Sequence, residues 1–202
     1  MGHMIKIYEA LINRKEKICH EAEISEIIQE YIQTIGKINP LNALKYLSRH
    51  RYIKRIFSHF YYINSFDERE RSFCLYEDKE LLFMVLNKLN IKWYIGLHSA
   101  LYHLGKTWQT PNTVTIITTN ISGKKKILGL KVHFRKIKKD LVFGVKKGAT
   151  KRMIPYSYSD LTKTYLDLKY FKESNKVITL KQTKHYLKRY PKWFNKSILT
   201  NT

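Results

Sequence analysis

The sequence predicts an α+β fold in two parts, and three observations predict it. Apolar residues recur at helical spacing in separate stretches, most clearly over residues 24–35 and 81–89. Runs rich in β-branched and aromatic residues lie between and after them, above all at residues 51–63 and 114–119. A charged run without apolar periodicity, NSFDERERS from Asn64 to Ser72, separates the two groups. It reads as a linker, with a solvated helix end as the other reading. The first domain is then residues 4–66 and the second residues 74–202.

From Met4 to Arg14, Ile5, Tyr8, Leu11 and Ile12 mark one short amphipathic helix. A longer one follows, because Ile24, Ile27, Ile28, Tyr31, Ile32 and Ile35 recur along one face before Gly36 ends it. Gly36-Lys37-Ile38-Asn39 is the turn that leads into a third helix, started by Asn39 as N-cap and Pro40 at the first helical position. Leu41, Leu44 and Leu47 are expected to face inward, which leaves Asn42, Lys45, Ser48 and Arg49 outside. Arg51 to Ile56 and Phe60 to Ile63 read as two strands joined across Phe57-Ser58-His59. Three helices followed by a basic hairpin is the order of a winged helix-turn-helix, whose last helix enters the major groove while the wing holds the backbone. The alternative is a solvated helix face beside an ordinary hairpin.

The second part reads as a mixed α/β domain. Glu77 to Asn90 is a helix through Leu81, Leu82, Val85, Leu86 and Leu89, and a second, near Gly96 to Leu104, ends at Gly105. Val114 to Thr119 is the clearest strand, and Ile127 to Ile137 alternates well enough to pair with it across a connection containing Ser122-Gly123. Leu141 to Val145 adds a further candidate strand. Ser159-Asp160 caps a helix reaching Phe171 with core residues Leu161, Tyr165, Leu168 and Tyr170. Lys181 to Arg189 is a last basic helix, stopped near Pro191.

Composition narrows the function. A chain of 202 residues with 44% apolar and 13% aromatic content can bury a core. Its 38 Lys plus Arg against 16 Asp plus Glu leave a net charge of +22. An AT-rich codon bias favours lysine, but it does not explain so few acids. Such a field attracts a polyanion, nucleic acid before a membrane surface. Up to Phe73 there are 12 basic and 9 acidic residues, a net of +3, whereas the remainder holds 26 and 7, a net of +19. Within the first part the acids segregate: none occurs between Tyr31 and Phe66, a span that carries Lys37, Lys45, Arg49, Arg51, Lys54 and Arg55. If all six engaged phosphates, log K would fall with log salt at a slope of roughly −5. No acid follows Glu173 while seven Lys or Arg do, so the tail is either a phosphate-contacting element or a solvated cationic end.

Two cysteines, Cys19 and Cys74, cannot make a disulfide scaffold or a four-cysteine zinc site, and they are expected to be reduced and buried. No apolar run of eighteen residues and no signal-like h-region occur, so no membrane association and a cytoplasmic location are expected. Met1-Gly2-His3 reads as foreign sequence before a natural start at Met4.

The segment WYIGLHSALYHLGKTWQTP from Trp93 to Pro111 resembles a hallmark of the AbiEi family of antitoxin-like transcriptional regulators, and YSDLTKTYLDLKYF from Tyr158 to Phe171 resembles a second. Phe143-Gly144 sits where that family often has an aromatic-Gly pair. Thr162 departs from the family's usual Glu, and Ser58-His59 stand where relatives favour Gly. With the winged helix, the resemblance spans about Met4 to Tyr190. It implies a DNA-binding N-terminal domain and a C-terminal domain that serves repression and neutralisation of a nucleotidyltransferase-like toxin.

Catalytic and metal chemistry find little support. His98 and His103 are five residues apart, about 140° around a helix, and share no face for a metal. Cys19-His20 lacks a partner pair at zinc spacing. Gly144 to Thr150, GVKKGAT, lacks the order of a P-loop and reads as a basic turn. Metal-dependent nucleases hold their ions with two or more acids, and none lies between Leu81 and Lys139. Asp160 and Asp167 could share a side of one helix, with Asp160 more simply its cap. No catalytic residue, metal or cofactor is therefore expected.

The expectation is a sequence-specific DNA-binding regulator, the antitoxin and autorepressor of its own operon. Its DNA contacts would come from Lys37, Asn42, Lys45, Ser48, Arg49, Arg51, Lys54, Arg55 and His59, with double-stranded DNA of its own promoter as partner and a homodimer on the site. A secondary basic patch would comprise Lys124, Lys125, Lys126, Arg135, Lys138, Lys139, Lys146 and Lys147. The rivals are a toxin-binding module, an RNA-binding protein using Tyr61, Tyr62, Tyr156 and Tyr158 as stacking platforms, and a magnesium-dependent nuclease.

Overall fold

A computed structural model describes residues 2–35, 39–173, 184–192 and 194. It is an α+β structure with two sheets and divides into two units, Met1–Lys88 and Leu89–Thr202.

The first unit runs α1 (Gly2–Ile12), β1 (Ile18–His20), α2 (Glu21–Ile35), α3 (Pro40–Arg49), β2 (Ile53–Phe57), β3 (Phe60–Ile63), α4 (Phe66–Glu70) and α5 (Asp78–Lys88). Its three strands form an antiparallel sheet in the order β1-β3-β2. Three residues are too few to show an alternation, which is why β1 leaves no mark in the pattern. The core joins Ile7, Tyr8 and Leu11 of α1, Ile24 and Ile28 of α2, Ala43, Leu44 and Leu47 of α3, and Tyr52, Ile53, Tyr61 and Ile63. Two inward assignments need correction. Ile5 is 42% exposed and Leu41 61% exposed, while Ile7 and Ala43 take the buried positions. In α1 the buried stripe keeps the expected Tyr8 and Leu11 and adds Ile7, with Met4 and Ile12 partly buried beside them and Ile5 turned outward.

The expected linker is a folded part of this unit. Ser65 caps α4 and forms a capping box with Glu68. Only 4% exposed, the Glu68 carboxylate accepts from Tyr62 Oη at 2.8 Å, from the Ser65 amide at 2.8 Å and from the Leu75 amide at 2.7 Å. Burial alone would raise this carboxyl; the Ser65 and Leu75 amides and the Tyr62 hydroxyl outweigh it and hold the group below its ordinary value. Helix α5, expected in the second domain, also belongs here. Its last residue, Lys88, donates to Glu16 at 2.7 Å, to Glu23 at 3.1 Å and to the Ile18 carbonyl at 2.8 Å. The division therefore falls at Lys88–Leu89, not within residues 64–73.

The second unit runs β4 (Trp93–Ile95), α6 (Leu97–His103), β5 (Val114–Thr118), β6 (Gly123–Ile127), β7 (Leu130–Lys136), β8 (Val145–Ala149), β9 (Pro155–Ser159), α7 (Leu161–Tyr170) and α8 (Lys184–Leu187). One six-stranded sheet has the order β6-β7-β5-β4-β9-β8, with β5–β7 and β4–β9 parallel and the other neighbours antiparallel. The expected hairpin is displaced. Residues 123–126 are strand, the hairpin joins β6 to β7 across Leu128-Gly129, and β5 meets β7 in parallel. GVKKGAT is likewise an edge strand over most of its length, not a turn, and the 3-10 turn Lys139–Leu141 stands at the start of the strand expected there. Of the basic helix expected at 181–189, Lys184–Leu187 is helical; residues 181–183 lie outside the described set.

Helix α6 begins where Gly96 passes Ile117 so closely that a Cβ would come within 2.4 Å of the Ile117 side chain. It ends at Gly105, φ +65°, with the Lys106 amide donating to the Leu101 carbonyl at 2.8 Å. Helix α7 is capped as expected, the Asp160 carboxylate accepting from the Lys163 amide at 2.8 Å. The core of this unit gathers Tyr94, Leu97, Leu101, Ile117, Ile137, Leu141 and Phe143 with Tyr165, Leu166 and Leu168 of α7 and Leu187, Tyr190 and Phe194.

Candidate nucleic-acid interface

Helix α3 exists for local reasons. Asn39 is extended at φ −70°, ψ 123°, and its side chain accepts from the Leu41 amide at 2.9 Å, while Pro40 supplies a preset first turn. Its buried residues Ala43, Leu44 and Leu47 occupy an arc of about 100°, and Leu41, Asn42, Lys45, Ser48 and Arg49 fill an exposed arc of about 120°. The four polar members of that arc are those expected from the sequence. Leu41 is the addition, and it lies between Lys45 and Ser48 around the axis. Neither Lys45 nor Arg49 makes an ion pair among the described residues.

The hairpin beside α3 is less free. Lys54 reaches Asp78 at 3.3 Å, Arg51 donates to Ser72, and the Arg55 Nε donates to the Ser58 carbonyl at 3.1 Å. His59, in the two-residue turn between β2 and β3, meets Glu21 at 2.9 Å. That contact, ahead of other influences, draws the Glu21 carboxyl below its ordinary value. The span 31–66 is thus acid-free in sequence but not in space, because α2 and α5 bring Glu21 and Asp78 to it. Ser48, Arg51, Lys54 and Arg55 line one cleft of ≈ 440 Å³ together with Asn64 and Glu68. Ser58 holds φ +52° at the turn, where glycine would be at less cost. Lys37 lies outside the described residues.

The secondary basic patch does not form one surface. Lys124, Lys125 and Lys126 lie on β6 and Lys146 and Lys147 on β8, the two opposite edges of the sheet. Five strand spacings separate them, about 24 Å. Arg135 is half-buried, paired with Glu173 and stacked 5.3 Å from the Phe171 ring, so its charge is already engaged. Lys138 and Lys139 form a third group, lining a cleft with Lys92 and Lys136.

The tyrosines offered as stacking platforms are mostly committed elsewhere. Tyr61 and Tyr62 are 5% and 1% exposed, and His103 packs against the rings of Tyr156 and Tyr158 at 5.3 and 4.3 Å. His98 and His103 are both exposed, in the first turn and at the last residue of α6, and they turn to different partners: His98 to Glu173 at 3.4 Å, His103 to Tyr156. Cys19 is buried, Cys74 only partly, and burial pushes both thiols up. Among the described residues no three His, Cys, Asp or Glu side chains gather as a metal-ligand set, and no helix is long and apolar enough to cross a membrane.

Sequence reasoning passed over Trp108, which is 92% exposed in the loop after α6, with Tyr102 42% exposed on the helix before it. A tryptophan beside Gly, Thr and Pro in a polar stretch was the available signal. Compared with protein-family models and with curated proteins, the chain matches none of them.

Proposed function

We propose that the first unit is a winged helix-turn-helix DNA reader and that the protein is a sequence-specific transcriptional regulator of the AbiEi type, a cytoplasmic, non-catalytic antitoxin that represses its own operon as a homodimer. The observation that carries this reading is the exposed arc of α3, where Asn42, Lys45, Ser48 and Arg49 stand together and neither Lys45 nor Arg49 makes an ion pair among the described residues. In the groove, Asn42 suits adenine and Arg49 guanine, Leu41 offers an apolar contact for a thymine methyl, and Lys45 serves phosphate or base. The hairpin contributes fewer phosphate contacts than its composition suggests, since Lys54 and His59 already face carboxylates. With Lys54 withdrawn, five of the six cations remain to engage phosphates and the salt slope becomes roughly −4.5.

The test is a gel shift on the promoter of the protein's own operon. Lys45→Ala together with Arg49→Ala should abolish the shift and leave thermal unfolding within about 0.5 kcal/mol of the parent, because both side chains are exposed and make no ion pair among the described residues. An undiminished shift by the double variant sinks the assignment.

A second reading concerns the second unit alone. An almost fully exposed tryptophan is the residue type on which protein interfaces concentrate their energy, and Trp108 favours a role in holding a nucleotidyltransferase-like toxin. Co-purification of such a neighbour, lost on Trp108→Ala with the promoter shift intact, would separate this role from DNA reading.

A further inference from the structure

The second unit carries a concave cationic site that the DNA reading does not use. Strands β5 and β7 are parallel neighbours, so both end at the same side of the sheet, and β4, antiparallel to β5, begins there. Backbone bonds fix the juxtaposition: Thr118 pairs with Trp93 on one flank and Lys136 on the other, the Thr119 amide donates to the Lys92 carbonyl at 3.2 Å, and the Ile137 amide donates to the Thr118 carbonyl at 2.9 Å. The chain leaving β7 then adds Lys138 and Lys139. The result is a cleft of ≈ 880 Å³ lined by Lys92, Lys136, Lys138 and Lys139 with Asn90 and Asn120, and no carboxylate lines it. All four lysines are exposed, and none makes an ion pair among the described residues.

Four ammonium groups around one hollow repel one another, and the lining supplies nothing to offset them. The volume lies in the range of small-ligand sites, and the cleft opens at the carboxyl ends of the parallel pair β5 and β7, the side on which parallel α/β sheets bind ligands. A duplex is too broad to enter such a hollow, whereas a chain of three phosphates carries nearly the charge of the four lysines. The two asparagines provide amide donors and acceptors at its rim.

We propose that this cleft binds the phosphate chain of a nucleoside polyphosphate. The lysines hold the phosphates; Asn90 and Asn120 lie where a sugar or base would meet the rim.

The test uses the full chain at low salt, titrated calorimetrically with ATP, inorganic tripolyphosphate and AMP. ATP should bind saturably and AMP at least ten-fold more weakly. Lys136→Ala with Lys138→Ala should weaken ATP binding ten-fold or more, while Lys146→Ala with Lys147→Ala, at the far edge of the sheet, should change it less than two-fold. Tripolyphosphate binding as tightly as ATP supports the site with the phosphate chain as its whole ligand; tighter ATP binding supports it with the nucleoside also held. No saturable binding, equal loss in both pairs of variants, or AMP binding as well as ATP overturns it. The promoter shift of the Lys45/Arg49 variant reads the other proposal independently.

Discussion

Lys163 and Asp167 show how far a residue's role can lie from its apparent chemistry. They are four apart on α7, both fully buried, with the ammonium 2.5 Å from the carboxylate. Tyr94 donates to Asp167 at 2.8 Å and Tyr190 at 2.9 Å, and the lysine lies 4.7 Å from the Phe143 ring centre. Burial pushes the Asp167 carboxyl up and the Lys163 ammonium down, each opposed by the other's charge. In sequence the lysine looks like one more surface cation and the aspartate like a spare acid. Two other polar residues of the stretch 158–171 are consumed in the same way, Ser159 and Thr164 being fully buried and 2.6 Å apart. That stretch is a packing signature before it is anything else. Removing one partner leaves a buried charge alone, so Lys163→Met should cost about 3–5 kcal/mol, while Lys163→Met with Asp167→Leu should cost clearly less. Chemical denaturation of the two variants measures the difference.

At the level of elements, what was legible is what is encoded locally. Helix α3 could be placed from Asn39 and Pro40, and α6 and α7 from Gly105 and Asp160, because a cap is a single residue acting on its neighbours. Strand order was not legible, since the parallel meeting of β5 and β7 depends on which strand lies beside which, and alternation records only the faces. The exposed arc of α3 could therefore be read from the sequence, whereas the cleft at the ends of β5 and β7 could not. Helix α4 is the instructive miss: five residues are too short for periodicity, yet Ser65 and Glu68 spell its capping box. Its strength can be measured. Glu68→Gln turns one accepting oxygen into a donor facing donors and should destabilise by about 1–3 kcal/mol. Ser65→Ala should cost about 1 kcal/mol. Thermal unfolding of each variant checks the ranking.

Over the whole molecule the charge is divided very unevenly. Residues 1–88 hold 14 basic and 12 acidic residues, a net of +2, and residues 89–202 hold 24 and 4, a net of +20. The first unit's acids include Glu21, Glu23 and Glu68, all held below the ordinary value of 4.5. For Glu23 burial works the other way and is overcome by the His20 amide, Lys88 and Arg14. A carboxyl depressed on folding contributes stability that is present above its unfolded value and lost as pH falls through its folded one. The first unit should thus lose stability progressively below pH 4.5. All three tryptophans, Trp93, Trp108 and Trp193, belong to the second unit. Acid titration should therefore reduce far-UV ellipticity before tryptophan emission shifts; coincident transitions would contradict that order. The lysines of β6 and β8 have a consequence of a different kind. The outer strands of an open sheet are where another copy could add its own strand. Lys124–Lys126 on β6 and Lys146–Lys147 on β8 place like charges wherever two such borders would meet, which disfavours edge-to-edge addition of a second copy.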